Sequence, residues 1–299
     1  MAIRFGLSLP LSYDMCKLIQ LAQRAESVGF DYVLMPDHVV SLDNTLPLNV
    51  WSVLNVLASS THKIGLGSMV ANVYRQHPST LRQQVYTLKQ TMKLHRHKDW
   101  LERDVIVGLG AGLVFDCEPY GITRSHPLSR VRRSAEALIG LEVPTVIGAY
   151  GPNMKELASG WHGWVARHAL SPPEFLKEKY EVQRHLGTED KDYLYIADVP
   201  VSHMDEPWLW KTLAYRYLLQ TKYRDMIIGA SKFSIEKDSL TVPHSTLEGF
   251  SAVGTNDDII NKLSGYVVNG AKMFSIRYYG DTLEKFGDVM DYIRTSYSQ

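Results

Sequence analysis

The feature that most constrains this chain is an alternation, repeated eight times, between a short apolar strand-like run and a longer segment with helical periodicity. Strand-like runs fall at 3–9, 31–35, 64–70, 105–109, 145–147, 164–169, 193–201 and 273–278. Apolar residues recur at helical spacing over 14–29, 50–60, 77–94, 130–141, 153–159, 173–185, 207–223, 257–269 and 282–297. In the first helical segment Met15, Leu18, Ile19, Ala22, Ala25 and Val28 share one face, and Gly29 suits its end. Several strands are apolar on both faces, as buried parallel strands require. The pattern predicts an α/β protein, a closed parallel (β/α)8 TIM barrel rather than an open doubly wound sheet. Such a barrel needs roughly 250 residues, so the 299 here suit a single domain over 1–299. Segment 224–254 fits the alternation least and is expected to be an insertion between strands seven and eight, over the barrel mouth.

Charge and cysteine usage exclude several function classes. Lys plus Arg equals Asp plus Glu at 32 each, so no global field favours nucleic acid or an anionic membrane. The short basic clusters at 95–98 and 130–133 read as solvated faces. Cys16 and Cys117 are the only cysteines and make no CxxC, which argues against a thiolate metal site and fits a reducing cytoplasm. No apolar run approaches the ~20 residues that span a bilayer, and MAIRFGLSLP reads as a first strand rather than a signal peptide. A soluble, cytoplasmic protein with a small-molecule partner is expected.

In barrels of this kind the active site gathers at the C-terminal ends of the strands. Those ends carry Ser8 and Pro10, Asp37 and His38, the run 68–75, the glycines Gly108, Gly110 and Gly112, then 148–151, Arg167 and His168, Ser202 and His203, and Arg277 and Tyr278. Asp37 beside His38 is the sharpest pair, since a carboxylate next to an imidazole can place a proton donor or acceptor near neutral pH. A capping Asp and a structural His is the plainer reading. Metal ligation has no HxH or HExxH spacing behind it. Gly110 and Gly112 permit close approach of a flat ring or of backbone, although the glycine run is not a GxGxxG loop. A tight turn with no ligand would use the same glycines. Gly148, Ala149, Gly151 and Pro152 close strand five and open a helix, whose free N–H groups would suit a phosphate. A simple strand-to-helix turn is the alternative there.

Taken together, LAQRAESVGFDYVLMPDH at 21–38, LGSMVANVYRQHPSTLRQQVYTL at 66–88, VGLGAG at 107–112, EPYGI at 118–122, VIGAYGPNMKELA at 146–158 and VGTNDDIINKL at 253–263 resemble the luciferase-like monooxygenase superfamily. Within it the chain is most similar to deazaflavin (coenzyme F420)-dependent oxidoreductases of the methylenetetrahydromethanopterin reductase type. The resemblance implies hydride transfer between coenzyme F420 and a small organic substrate, with Asp37 and His38 near the reactive edge. It implies a non-prolyl cis peptide within Ser68-Met69-Val70 that backs the ring, and a phosphate end lined by Gly148, Ala149, Gly151 and Pro152. It also implies a homo-oligomer. An FMN-dependent monooxygenase and a non-catalytic cofactor-binding barrel are the alternatives. The chain departs from the family's pattern at Leu113, where an acid is common and Asp116 or Glu118 would have to serve. It also lacks an aromatic residue in 39–42 and carries an unusual segment at 93–103.

Overall fold

The computed structural model describes residues 2–11, 14–38, 46–94, 103–112, 117, 120–186, 192–221 (215–221 as backbone only) and 242–297. Helix boundaries follow local chemistry. Asp14 caps α1 (Met15–Val28) by accepting from the Lys17 N–H at 3.2 Å, and Gly29 ends it at φ 97. Asn49 caps α2 (Val50–Ser60) in the same way, accepting from Trp51 and Ser52. Capping boxes open α6 (Pro172–Gln183), through Ser171 and Glu174, and α9 (Asn256–Val268), through Thr255 and Asp258.

Strands β1 (Arg4–Ser8), β2 (Tyr32–Met35), β3 (Gly65–Asn72), β4 (Val105–Gly110), β5 (Thr145–Gly148), β6 (Gly163–Val165), β7 (Leu194–Ser202) and β9 (Met273–Tyr278) pair in parallel. The β6–β7, β7–β9 and β9–β1 pairings close the ring in the order β1-β2-β3-β4-β5-β6-β7-β9. This is the expected (β/α)8 barrel. Tyr32, Leu34, Met69, Ile106, Val146, Val165, Leu194, Ile196 and Met273 fill its interior. A larger apolar layer packs the outer strand faces against the helices.

The remaining helices are α3 (Pro78–Leu94), α4 (Pro127–Glu136), α5 (Pro152–Ser159), α7 (Pro207–Thr221), α8 (His244–Phe250) and α10 (Phe286–Tyr297). Several element boundaries differ from expectation. The sixth strand stops at Val165 rather than 169, where its pairing with β7 ends after the Ala166 N–H bond to the Ile196 carbonyl, and Ala169 takes φ 66 in the turn beyond. The fourth helix starts three residues earlier than expected, at Pro127, whose fixed φ suits a first turn. Between β7 and β9 lies the expected excursion: α7, α8, a two-residue strand β8 (Ala252–Val253) beside the end of β7, and α9. Part of segment 224–254 is outside the described residues. From the rest, Leu247 and Phe250 join Leu209, Leu213, Ala214 and Ala169 in a separate apolar cluster beside the barrel mouth.

Candidate active site

A cavity of about 410 Å³ opens where the barrel strands end. Its first wall comes from β3, β4 and β5. The Met69–Val70 peptide is cis and lies within the Ser68-Met69-Val70 stretch singled out from the sequence. The pairing register with β4 shifts between Ser68 and Ala71, so Met69 and Val70 both face the cavity. Val70 packs into space that the facing glycines leave. A Cβ at Gly110 would lie 2.5 Å from a Val70 methyl, and one at Gly108 would meet the other at 2.9 Å. Gly112, at φ 61, has the Asn72 amide where its own Cβ would stand. The glycine run therefore makes room first for protein groups, Val70 and Asn72.

Asp37 and His38, at the end of β2, line the same cavity. Asp37 is buried, pairs with the Arg75 guanidinium and accepts from the Asn72 backbone N–H at 2.9 Å. Asn72 is buried too, and its side-chain Oδ1 accepts from the Tyr74 N–H at 3.0 Å. The carboxylate thus pins the exit of β3 directly after the cis bond. His38 is half-buried at the cavity edge.

Gly148, Gly151 and Pro152 line the cavity with Tyr150, Asn153 and Met154, where α5 begins. Gly151 caps α5 without a side-chain hydrogen bond, and nothing lies within 4 Å of where its Cβ would be. The start of the helix is therefore unobstructed and suits an anion. Arg124, held by an Nε–H bond to the Ala111 carbonyl at 3.2 Å, lines the cavity as well. Behind α5 the buried Lys155 binds Glu181 at 2.7 Å and Glu178 at 3.3 Å, and Glu178 binds Arg167 at 2.9 Å, which ties α5 to α6.

Two of the residues expected to bind cofactor face elsewhere. Ser68 is buried and donates to the Gly108 carbonyl at 3.0 Å. Ala149 is buried, and its carbonyl accepts from the Trp164 indole N–H at 3.1 Å. Neither is on the cavity wall, whereas Asp37, His38, Met69, Val70, Gly110, Gly112, Gly148, Gly151 and Pro152 are brought together on it. His77 sits on the surface before α3, its ring bonded to the Ser79 hydroxyl at 2.8 Å. Leu113, Asp116, Glu118 and 39–42 lie outside the described residues, as does most of 93–103.

The opposite wall is charged. Asp198 in β7 receives Arg277 of β9 in a fork: Nε at 3.1 and 3.2 Å, Nη2 at 2.9 Å. His168 Nδ1 lies 3.6 Å from the same carboxylate. Burial opposes ionisation of Asp198, but Arg277 and His168 outweigh it and hold its carboxyl well below the usual range. Burial likewise works against the Arg277 charge, and Asp198 overcomes it and raises its pKa. His168 is buried against the Phe250 ring, so the excursion after β7 completes this wall. Asp198 was not singled out from the sequence because it lies inside a strand, not at its end. A signal existed: it is the sole charged residue of LYIADVPVS, and Arg277 is the sole one of MFSIRY. Charges in buried strands require partners, so each points to the other.

Farther round the mouth, His203 bonds the Tyr278 hydroxyl and the Asn256 amide oxygen, each at 2.7 Å. Among the described residues no group of His, Cys, Asp and Glu could hold a metal ion, and no helix is long and apolar enough to cross a membrane.

Residues 8–93 match the family model of the luciferase-like monooxygenases. The 5,10-methylenetetrahydromethanopterin reductase of Archaeoglobus fulgidus is 25% identical over 284 residues, covering 87% of this chain and 76% of that protein. Among solved structures, an F420-dependent secondary alcohol dehydrogenase in complex with an F420-acetone adduct superposes with a TM-score of 0.78. It is 18% identical, over 98% of this chain and 100% of its own. The oxygenating constituent of 3,6-diketocamphane monooxygenase from Pseudomonas putida, in complex with FMN, superposes at 0.67 with 16% identity, over 98% and 97% of the two chains. These two likenesses are of fold.

Proposed function

We propose that this chain is an oxidoreductase that transfers hydride between coenzyme F420 and a small organic substrate, in the manner of the methylenetetrahydromethanopterin reductases it resembles. The observation that carries the reading is the apolar rest that Val70 makes against Gly108, Gly110 and Gly148, inside a cavity with an unobstructed helix start. The similarity to a curated reductase over most of the chain supports it. The chain works as a single domain of the cytoplasm and as a homo-oligomer.

The residues present fit a deazaflavin. Met69 and Val70 support one face of a planar ring, and Gly148, Gly151, Pro152 and Arg124 suit the phosphate-bearing tail. Bound there, deazaflavin supplies a ring carbon that gives or takes hydride. The chain's own work is orientation and exclusion of water. Asp37, fixed by Arg75 and Asn72, positions the β3 exit rather than exchanging protons. His38, at the cavity edge beside it, carries the substrate's proton on an imidazole nitrogen.

The test is titration of the purified protein with oxidised and reduced F420 and, separately, with FMN. Saturable F420 binding with none for FMN is the expected result. Preference for FMN would move the chain to the oxygen-using side of the superfamily, where the diketocamphane enzyme stands. Binding of neither would end both enzyme readings.

A further inference from the structure

We propose that Arg277, presented by Asp198, anchors an uncharged carbonyl or hydroxyl oxygen of the substrate on the wall facing Val70. The inference rests on the deazaflavin reading for what occupies the rest of the cavity. Ring order places β9 four strands from β4 in an eight-strand circle, diametrically across it. A planar group resting on Val70 and the β4 glycines therefore turns its free face toward Arg277, which lines the same cavity.

Arg277 uses Nε and Nη2 on Asp198, and its Nη1 has no hydrogen-bond partner among the described residues. A guanidinium has five N–H donors in a rigid fork, so the edge turned away from Asp198 still has donors to offer. The side chain is 20% exposed, enough to be met by a ligand but not to be fully hydrated. Ser8, which is not itself on the cavity wall, is the neighbour of Arg277 in the ring. It lies on β1, between β9 and β2, one residue beyond the Leu7–Ile276 pair and so level with Arg277. It shares the interior side with Gly6, whose Cβ would meet Leu34 and Met273. Its hydroxyl is buried and without a hydrogen-bond partner among the described residues.

Charge decides the class of ligand. Asp198 stands against both Arg277 and His168 and offsets positive charge at short range, as Arg75 offsets Asp37. A full anion would surrender its hydration for little net attraction, whereas a neutral oxygen loses less and still accepts the N–H bond. Arg124, the further cation on the cavity wall, stands apart near the Ala111 carbonyl, on the side assigned to the cofactor tail.

The experiment compares the whole protein with the double variant Asp198→Leu/Arg277→Met, which removes both charges without leaving either unpaired. Cyclohexanone is the neutral probe and acetate the anionic one, each titrated while the Arg277 side-chain N–H resonances are followed by NMR. Wild-type protein is expected to bind cyclohexanone at least tenfold more tightly than acetate, with a shift of the Arg277 signals. The double variant should lose at least tenfold in cyclohexanone affinity. Equal affinity in the two proteins, or preference for acetate, overturns the assignment. Should the double variant fail to fold, wild-type Arg277 signals that stay fixed at saturating cyclohexanone overturn it alone. F420 titration runs in parallel: its failure would sink the cofactor reading, while the cyclohexanone response still decides Arg277.

Discussion

The wall from β3, β4 and β5 and the wall from β6, β7 and β9 enclose one cavity but hold their shapes by different means. The first is steric: Val70 occupies volume that Gly108 and Gly110 vacate, and the Asp37–Arg75 pair beside it fixes the strand exit. The second is electrostatic: Asp198, Arg277 and His168 stand in the cavity surface itself and hold one another in place. A steric wall tolerates changes of charge nearby but not of volume. An electrostatic wall tolerates small changes of volume but not the loss of one partner.

His38 stands between the two walls and should show the largest effect, because the proposed reaction needs its proton wherever the substrate is held. His38→Ala should cut turnover by about 10²–10⁴-fold, with F420 affinity changed only a few-fold in a fluorescence titration. Equal losses in both quantities would make His38 a binding residue instead. Next is Asp198→Ala, which strands a guanidinium in a largely buried site and should cost about 3–5 kcal/mol, the usual penalty for removing one partner of such a pair. Urea unfolding measures it, and F420 affinity of the folded variant should hold. Gly110→Val should reverse that pattern. It overpacks against Val70, costing about 1–3 kcal/mol of stability, and it should abolish measurable F420 binding. If Gly110→Val binds F420 normally, the steric wall is not the cofactor's rest.

The smaller effects are in pH. Asp198 titrates below its ordinary value of 3.8 when folded, so its contribution to stability is present in full above that range and is lost as pH falls below it. Wild-type unfolding free energy should therefore drop more steeply below pH 3.8 than that of the Asp198→Leu/Arg277→Met variant. His203 gives the mildest signal. Burial lowers its pKa from 6.5, so its contribution is full above that value and fades as pH falls through the lower folded one. His203→Gln should flatten a shallow stability loss on acidification without altering F420 binding.

Much of the barrel was legible because strand and helix periods differ and alternate cleanly. Val50–Ser60 and Met273–Tyr278 emerge with the boundaries read from the sequence. Boundaries slipped where the end of strand pairing decided them, as after Ala166. The first wall was legible too, since glycines at 108, 110 and 112 and the stretch 68–70 are local features of the chain. Their mutual fit was not: that Val70 fills the space over Gly110 depends on a register shift between two strands. The second wall was the least legible. Asp198 and Arg277 are 79 residues apart, and only closure of the ring brings β7 beside β9. Ser68 and Ala149 show the converse: each belongs to a stretch that lines the cavity, but itself faces the other side of the strand or turn.

The fit of Val70 over Gly110 has a consequence for descent. The two positions cannot drift independently: a methyl at 110 comes within 2.5 Å of Val70, so it must be met by a smaller residue at 70. Relatives that keep this cavity should carry the two sites as a matched pair, changing together or not at all. A lineage in which 110 grew while 70 stayed Val would mark the point where the ancestral ligand was given up.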